Sequence, residues 1–244
     1  MILTAHQPVY MPWLGLFHKI SLADQYCIFD IAQYQTRDYN NRNQIKTQSG
    51  PLWLSVPVES KDHFNKRLCD IKIAGGGWEK KHFKSISLAY RKAPYFERYI
   101  YEIEKILTPG RYQFLTDLNR DILVYFLKCL EINVPIVKAS DYSFKGSKSD
   151  LVLDMCAALK AKTYLFGANG KDYADVGSFH KKGIEVFFQD YQHPVYRQLH
   201  GEFTPYLSTL DLLFNEGPES KRILMEGNAK SLKAGLQPLK KGSV

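Results

Sequence analysis

The 244-residue sequence has no long apolar run. Its longest, residues 122–127, is six residues against the roughly 20 that a membrane-spanning helix needs. The N-terminus carries no basic segment followed by an apolar stretch, so no signal peptide is expected and a cytoplasmic location is. Cysteine is scarce and scattered: Cys27, Cys69, Cys129 and Cys156 form no Cys-x-x-Cys pair, which argues against a zinc site and a disulfide framework and for free thiols. No metal-ligand cluster, nicotinamide or flavin fingerprint, P-loop or Gly-x-Ser-x-Gly elbow occurs, so the cofactor is left open.

The composition, 45% hydrophobic and 24% charged, is that of a folded domain. The net charge of +8 divides unevenly. Residues 219–244 hold six basic and two acidic side chains, half of the excess. The remainder is too mild to call for nucleic acid; it suits an anionic small substrate or a plain solvated surface. The expected organisation is a single domain over 1–218 and a basic tail over 219–244. That tail offers at most weak, salt-sensitive attachment to an anionic membrane.

Short β-like runs alternate with helical periodicity. Strands are expected at 2–5, 26–30, 135–138, 163–166 and 184–188, and a strand pair at 52–58 with 69–73. Residues 31–51 read as a polar loop. Three helices should fill an insertion near 78–131, the clearest marked by Leu115, Leu118, Ile122, Tyr125 and Cys129 at steps of three and four. Ser149 and Ser208 are placed to cap helices, and Gly217-Pro218 to end the last one. Strands that alternate with helices predict an α/β fold, a mostly parallel Rossmann-like sheet flanked by helices. In such folds ligands lie beyond the carboxyl ends of the strands, so the turns after Ala5, Asp30, Lys138, Phe166 and Phe188 come first.

The first of these turns is the richest. Around Pro8 and Pro12 it gathers His6, Gln7, Tyr10, Trp13, His18 and Lys19. His6 suits a general acid or base, Lys19 a phosphate, and Tyr10 and Trp13 a base or sugar ring. A stiff turn with core aromatics and a solvated helix face would use the same residues. The stretch is similar to the His-x-Gly-His turn of nucleotidyltransferases, with altered spacing. Lys145-Gly146-Ser147-Lys148-Ser149 is similar to a phosphate-binding loop of adenylate-forming enzymes; solvated lysines explain it equally. Arg37 and Arg42 on one polar loop match phosphate or carboxylate. Gly167 and Gly170 would let backbone approach a ligand beside Lys171.

His6-Gln7-Pro8, Pro12-Trp13-Leu14-Gly15 and Phe17-His18-Lys19-Ile20 together resemble the opening of the WbqC-like protein family. The resemblance continues through Asp30 with Gln33-Tyr34, Arg42-Asn43, Trp53-Leu54, Gly167 with Lys171 and Tyr173, His193-Pro194 with Gln198, and Asp211 to Asn215. It spans about residues 2–218. Ile31 and Val9 depart from the family pattern, which has a second acid and an asparagine there, so no paired carboxylate is expected at 30–31.

The resemblance implies a role in bacterial cell-surface polysaccharide, lipopolysaccharide or O-antigen pathways, with a nucleotide-linked sugar as partner. The expected activity is acyl or aminoacyl transfer to an amino sugar. His6, His18 and Asp30 are the catalytic candidates. The binding candidates are Gln7, Tyr10, Trp13, Lys19, Gln33, Arg42 and Asn43 early in the chain, and Gly167, Lys171, Tyr173, His193 and Gln198 late. Nucleotidyl transfer or adenylation is a second reading, and a non-catalytic scaffold of the same pathway a third.

Overall fold

The computed structural model describes residues 1–59 and 65–228. Five strands form one parallel sheet: β1 (Ile2–His6), β2 (Gln25–Ile28), β5 (Ile136–Lys138), β6 (Thr163–Phe166) and β7 (Glu185–Phe188), in the order β5-β2-β1-β6-β7. Leu3 pairs with Gln25 on one side and with Tyr164 on the other. The chain winds outward from β1 through β2 to β5, then crosses back to β6 and β7. The order reverses between β1 and β6, and this switch point opens a crevice beyond the strand ends.

Alternating residues send the strands' side chains to two cores. Tyr26 and Ile28 face α1 (Leu14–Ser21) and the helices α2 (Trp78–Tyr90), α3 (Phe96–Ile106), α4 (Leu115–Cys129) and α7 (Thr209–Glu216). Leu3 and Cys27 face α5 (Lys148–Ala158) and α6 (Val176–Lys181). Helices on both faces make this the expected Rossmann-like α/β fold, with the helical insertion between β2 and β5. Leu115, Leu118 and Ile122 of the predicted stripe are buried. Among the described residues no helix is long and apolar enough to cross a membrane.

Three local expectations fail. The polar stretch 31–51 is not all loop: residues Arg42–Thr47 form β3, which pairs antiparallel with β4 (Gly50–Ser55). Only Asn43, Ile45 and Lys46 of β3 are buried, so its sequence lacks the apolar alternation that marks a strand. Residues 69–73, expected to pair with 52–58, instead contain the end of a single 3-10 turn and touch that segment through one bridge, Val58 to Ile73. Ser149 caps no helix; its buried hydroxyl accepts the Asp175 N–H at 2.9 Å. Ser208 does cap α7, accepting from Leu210 N.

Past Pro218, the first part of the stretch read as tail forms α8 (Ser220–Leu224), whose Ile223 and Leu224 are buried in the larger core. Lys230, Lys233, Lys240 and Lys241 lie outside the described residues.

Candidate functional site

β1 stops at His6 because Pro8 cannot donate to a ladder. The chain then turns to α1 through Met11, which takes the left-handed conformation (φ 44°) that a non-glycine side chain adopts only when held. Asn43 holds it, its Nδ2 donating to the Met11 carbonyl at 2.6 Å. Asn40 Nδ2 donates to the Pro8 carbonyl at 2.9 Å, and Tyr10 N–H to the Tyr39 carbonyl at 3.0 Å. The loop before β3 is thus a strap that fixes the first turn.

Beyond the ends of β1, β6 and β7 this turn encloses one wall of a cavity of about 780 Å³. His6 and Lys19 line it, with Gly167 beside the Lys19 amine. Trp13, Tyr39, Tyr173 and Tyr191 also line it, with Trp13 and Tyr191 meeting over Gly15. The volume is in the range of small-molecule sites, and the position is the switch point.

Lys19 is 3% exposed. Its Nζ donates to the Ala5 carbonyl at 2.9 Å, and among the described residues no carboxylate pairs with it. Burial therefore lowers its pKa to about 7, so the amine is divided between charged and neutral forms at neutral pH. A Cβ at position 167 would stand 3.8 Å from Nζ, so glycine leaves the space before the amine open.

His6 responds to the same environment. Burial first, then the Lys19 charge, lower its pKa to about 3, against a small opposing pull from the Gln7 carbonyl. Its Nδ1 lies 2.9 Å from that carbonyl, which only accepts, so Nδ1 carries the hydrogen. Nε2 keeps its lone pair. The Trp13 indole meets the ring edge-on with centroids 5.5 Å apart. An imidazole locked in one tautomer with a free lone pair can accept a proton from a ligand.

Of the predicted site residues, His6, Gln7, Trp13, Lys19, Gly167 and Tyr173 line the cavity. The others lie elsewhere. His18, on α1, is buried, and its Nδ1 accepts from Gln189 Nε2 at 2.9 Å. Asp30 is buried and accepts from the Ser140 N–H and hydroxyl at 2.8 and 2.7 Å, tying β2 to the turn after β5. Tyr10 is a core residue bonded to His82 Nδ1 at 2.8 Å.

Arg42 lies over the Trp53 ring, and Asn43, in β3, donates to the Met11 carbonyl. Gln33 bridges to Arg67, and Lys171 is exposed on the 3-10 turn after Gly167. His193 Nε2 accepts from Tyr206 N at 3.1 Å, and Gln198 is bonded to Lys46 and Thr204. Lys145 and Lys148 are exposed and outside the cavity.

Asp38, Tyr39, Asn169, Gln189 and Tyr191 line the cavity without having been singled out as site residues. Gln189 and Tyr191 follow β7, one of the turns that the strand-end rule points to. Asp38 and Tyr39 come from the strap, whose path over the first turn no local pattern announces. Among the described residues no group of three or more His, Cys, Asp or Glu is placed to hold a metal ion.

Fold and cavity define a class: a doubly wound α/β protein with an aromatic-walled cavity at the sheet's switch point, lined by the ionisable groups of His6, Lys19, Asp38 and Asp190. Residues 7–223 match the model of the WbqC-like protein family, and the chain belongs to that family. It is 34% identical over 215 residues to an uncharacterised protein of Mycobacterium tuberculosis (strain ATCC 25618 / H37Rv), covering 88% of this chain and 93% of the relative. No solved structure matches it.

Proposed function

We propose that this protein is a transferase that binds a nucleotide-linked amino sugar in the switch-point cavity and transfers an acyl or aminoacyl group to the sugar amine. The observation that carries this reading is the buried Lys19 amine in the cavity lining, with one carbonyl partner and, among the described residues, no carboxylate. An anionic phosphate is the ligand group that such an amine lacks. Its arrival stabilises the ammonium form and raises the pKa of both Lys19 and His6. His6 Nε2, a weak base in the empty cavity, becomes a better one once that charge is compensated.

In the reaction the sugar nitrogen attacks the acyl carbon, a C–N bond forms, and the bond from that carbon to its carrier breaks. The proton leaving the nitrogen passes to His6 Nε2 and on to the departing carrier. The cell-surface polysaccharide setting is the one that the family resemblance implies, and the cytoplasm, where nucleotide sugars are made, is its expected location.

Lys145 and Lys148, which nucleotidyl transfer would need on phosphate, are exposed outside the cavity, and this favours the transferase reading over that alternative. The test is turnover with a panel of nucleotide amino sugars and acyl donors. Wild type is expected to turn over at least one pair, and His6→Ala to lose about 10²–10⁴-fold. Absence of any turnover, with stable capture of pathway proteins that His6→Ala leaves intact, would replace the transferase by a scaffold.

A further inference from the structure

The cavity does not end at Trp13. From His6 a file of rings leads outward: Trp13 at 5.5 Å, Tyr39 at 5.2 Å from Trp13, and Trp53 at 5.8 Å from Tyr39, all centroid to centroid. The Arg42 guanidinium closes the file, 4.3 Å from the Trp53 centroid. His6 and Trp13 belong to the first turn, Tyr39 to the strap, and Arg42 and Trp53 to neighbouring strands of the β3–β4 hairpin. Three separate segments thus build one line of rings that begins inside the cavity.

Its outer members are open. Tyr39 and Trp53 are each 39% exposed, and Leu52 beside Trp53 is exposed as well. Large aromatics held in register at the surface, continuous with a binding cavity, mark a contact site rather than a core. Asp38 lines the cavity beside Tyr39, and Arg42 covers one face of Trp53 at the far end, leaving the other face to a ligand.

We propose that this file is a saccharide-stacking subsite that extends the cavity. It takes the carbohydrate portion of the substrate, with an inner pyranose against Trp13 and Tyr39 and a second, linked pyranose against Trp53. The proposal rests on the reading of the cavity as a site for a phosphate-bearing sugar. A pyranose offers an apolar C–H face to a ring and hydroxyls around its rim, which suits aromatics bordered by a carboxylate and a guanidinium. A nucleobase would occupy a single stacking step; successive rings spaced evenly outward fit linked sugars better.

The test is calorimetry with amino-sugar saccharides of one, two and three residues, each free and as the 1-phosphate, and with uridine diphosphate. Wild type is expected to bind the two- and three-residue ligands more tightly than the one-residue ligands. Trp53→Ala should weaken the longer ligands about tenfold, Trp53→Phe should restore most of that loss, and Tyr39→Ala should weaken ligands of every length. Thermal unfolding of each variant checks that the hairpin is intact.

The proposal is overturned if no saccharide binds wild type, or if both alanine variants bind the panel as wild type does. It is also overturned if Trp53→Ala weakens uridine diphosphate as much as the saccharides, which would make the file a base platform. If the phosphate adds no affinity while Trp53→Ala still weakens free saccharides, the phosphate reading of the cavity fails and the subsite stands.

Discussion

Among the described residues two lysines lie buried, and they are used in opposite ways. Lys46 on β3 is 2% exposed and Lys19 on α1 is 3% exposed. The Lys46 ammonium has three acceptors: Gln198 Oε1 at 3.1 Å and the carbonyls of Gly201 and Glu202. It ties the hairpin to the long segment between β7 and α7. Lys19 has one carbonyl and faces a cavity. A buried charge surrounded by acceptors stabilises a structure; a buried charge short of acceptors is a place where a ligand supplies them. Burial of a charged residue is therefore no guide to its role until its partners are counted.

The comparison breaks most visibly if the two lysines are exchanged for methionine. Lys19→Met should lose the affinity for phosphate-bearing ligands by about 100-fold or more, the cost of removing one partner of a buried charged pair. Its thermal stability should stay level or rise, because an under-partnered charge is gone. Lys46→Met should do the reverse: ligand affinity nearly unchanged, and stability lower by about 2–3 kcal/mol because buried acceptors lose their donor. Urea titrations of both variants, paired with ligand calorimetry, check this. Equal behaviour of the two would show that the distinction drawn from their partners is false.

Removal of α8 comes next in size. A chain that ends within residues 218–222 strips Ile223 and Leu224 from the core, and should lose a few kcal/mol of stability. A chain that ends at Asn228 keeps both. Circular dichroism melts of the two truncations separate a tail from a structural helix, and equal melting would mean that α8 contributes nothing.

The smallest effect sharpens the structural side. Asp211 is buried and accepts the Tyr90 hydroxyl at 2.9 Å, while the Lys46 N–H donates to that hydroxyl's oxygen. Burial raises its pKa from 3.8 to about 6, against hydrogen bonds that favour the carboxylate. The folded protein therefore binds the proton more tightly than the unfolded chain does. This contribution to stability is complete below pH 3.8 and is lost as pH rises through about 6. Asp211→Asn should flatten stability against pH between those values. An unchanged slope would remove Asp211 as its source.

Much of the fold was legible because strand and helix periods differ and the runs are clean. Residues 163–166 and the stripe from Leu115 to Cys129 needed no tertiary information. The hairpin was not legible, since β3 reads Arg-Asn-Gln-Ile-Lys-Thr and owes its pairing to β4 and its burial to helices distant in sequence. The cavity lining was legible where strand ends make it: His6, Lys19 and Gly167 all line the cavity at the switch point. His18 on α1 and Asp30 after β2 lie outside the cavity lining; a polar residue reads alike whether it faces a ligand or a protein group, and only the partners, Gln189 and Ser140, place these two. Neither Tyr39 nor Trp53 was a site candidate, because the line that they form crosses three segments.

The central claim is that Lys19 waits in the cavity for an anion, and proton linkage tests it most directly. Titrate nucleotide amino sugars into the wild-type protein at pH 8 in two buffers that differ in ionisation enthalpy. With the Lys19 pKa near 7, most molecules carry the neutral amine before binding, and a bound phosphate restores the ammonium. The account predicts uptake of close to one proton per ligand bound, abolished in Lys19→Met together with most of the affinity. Tight binding with no proton uptake, or uptake that survives Lys19→Met, would contradict it.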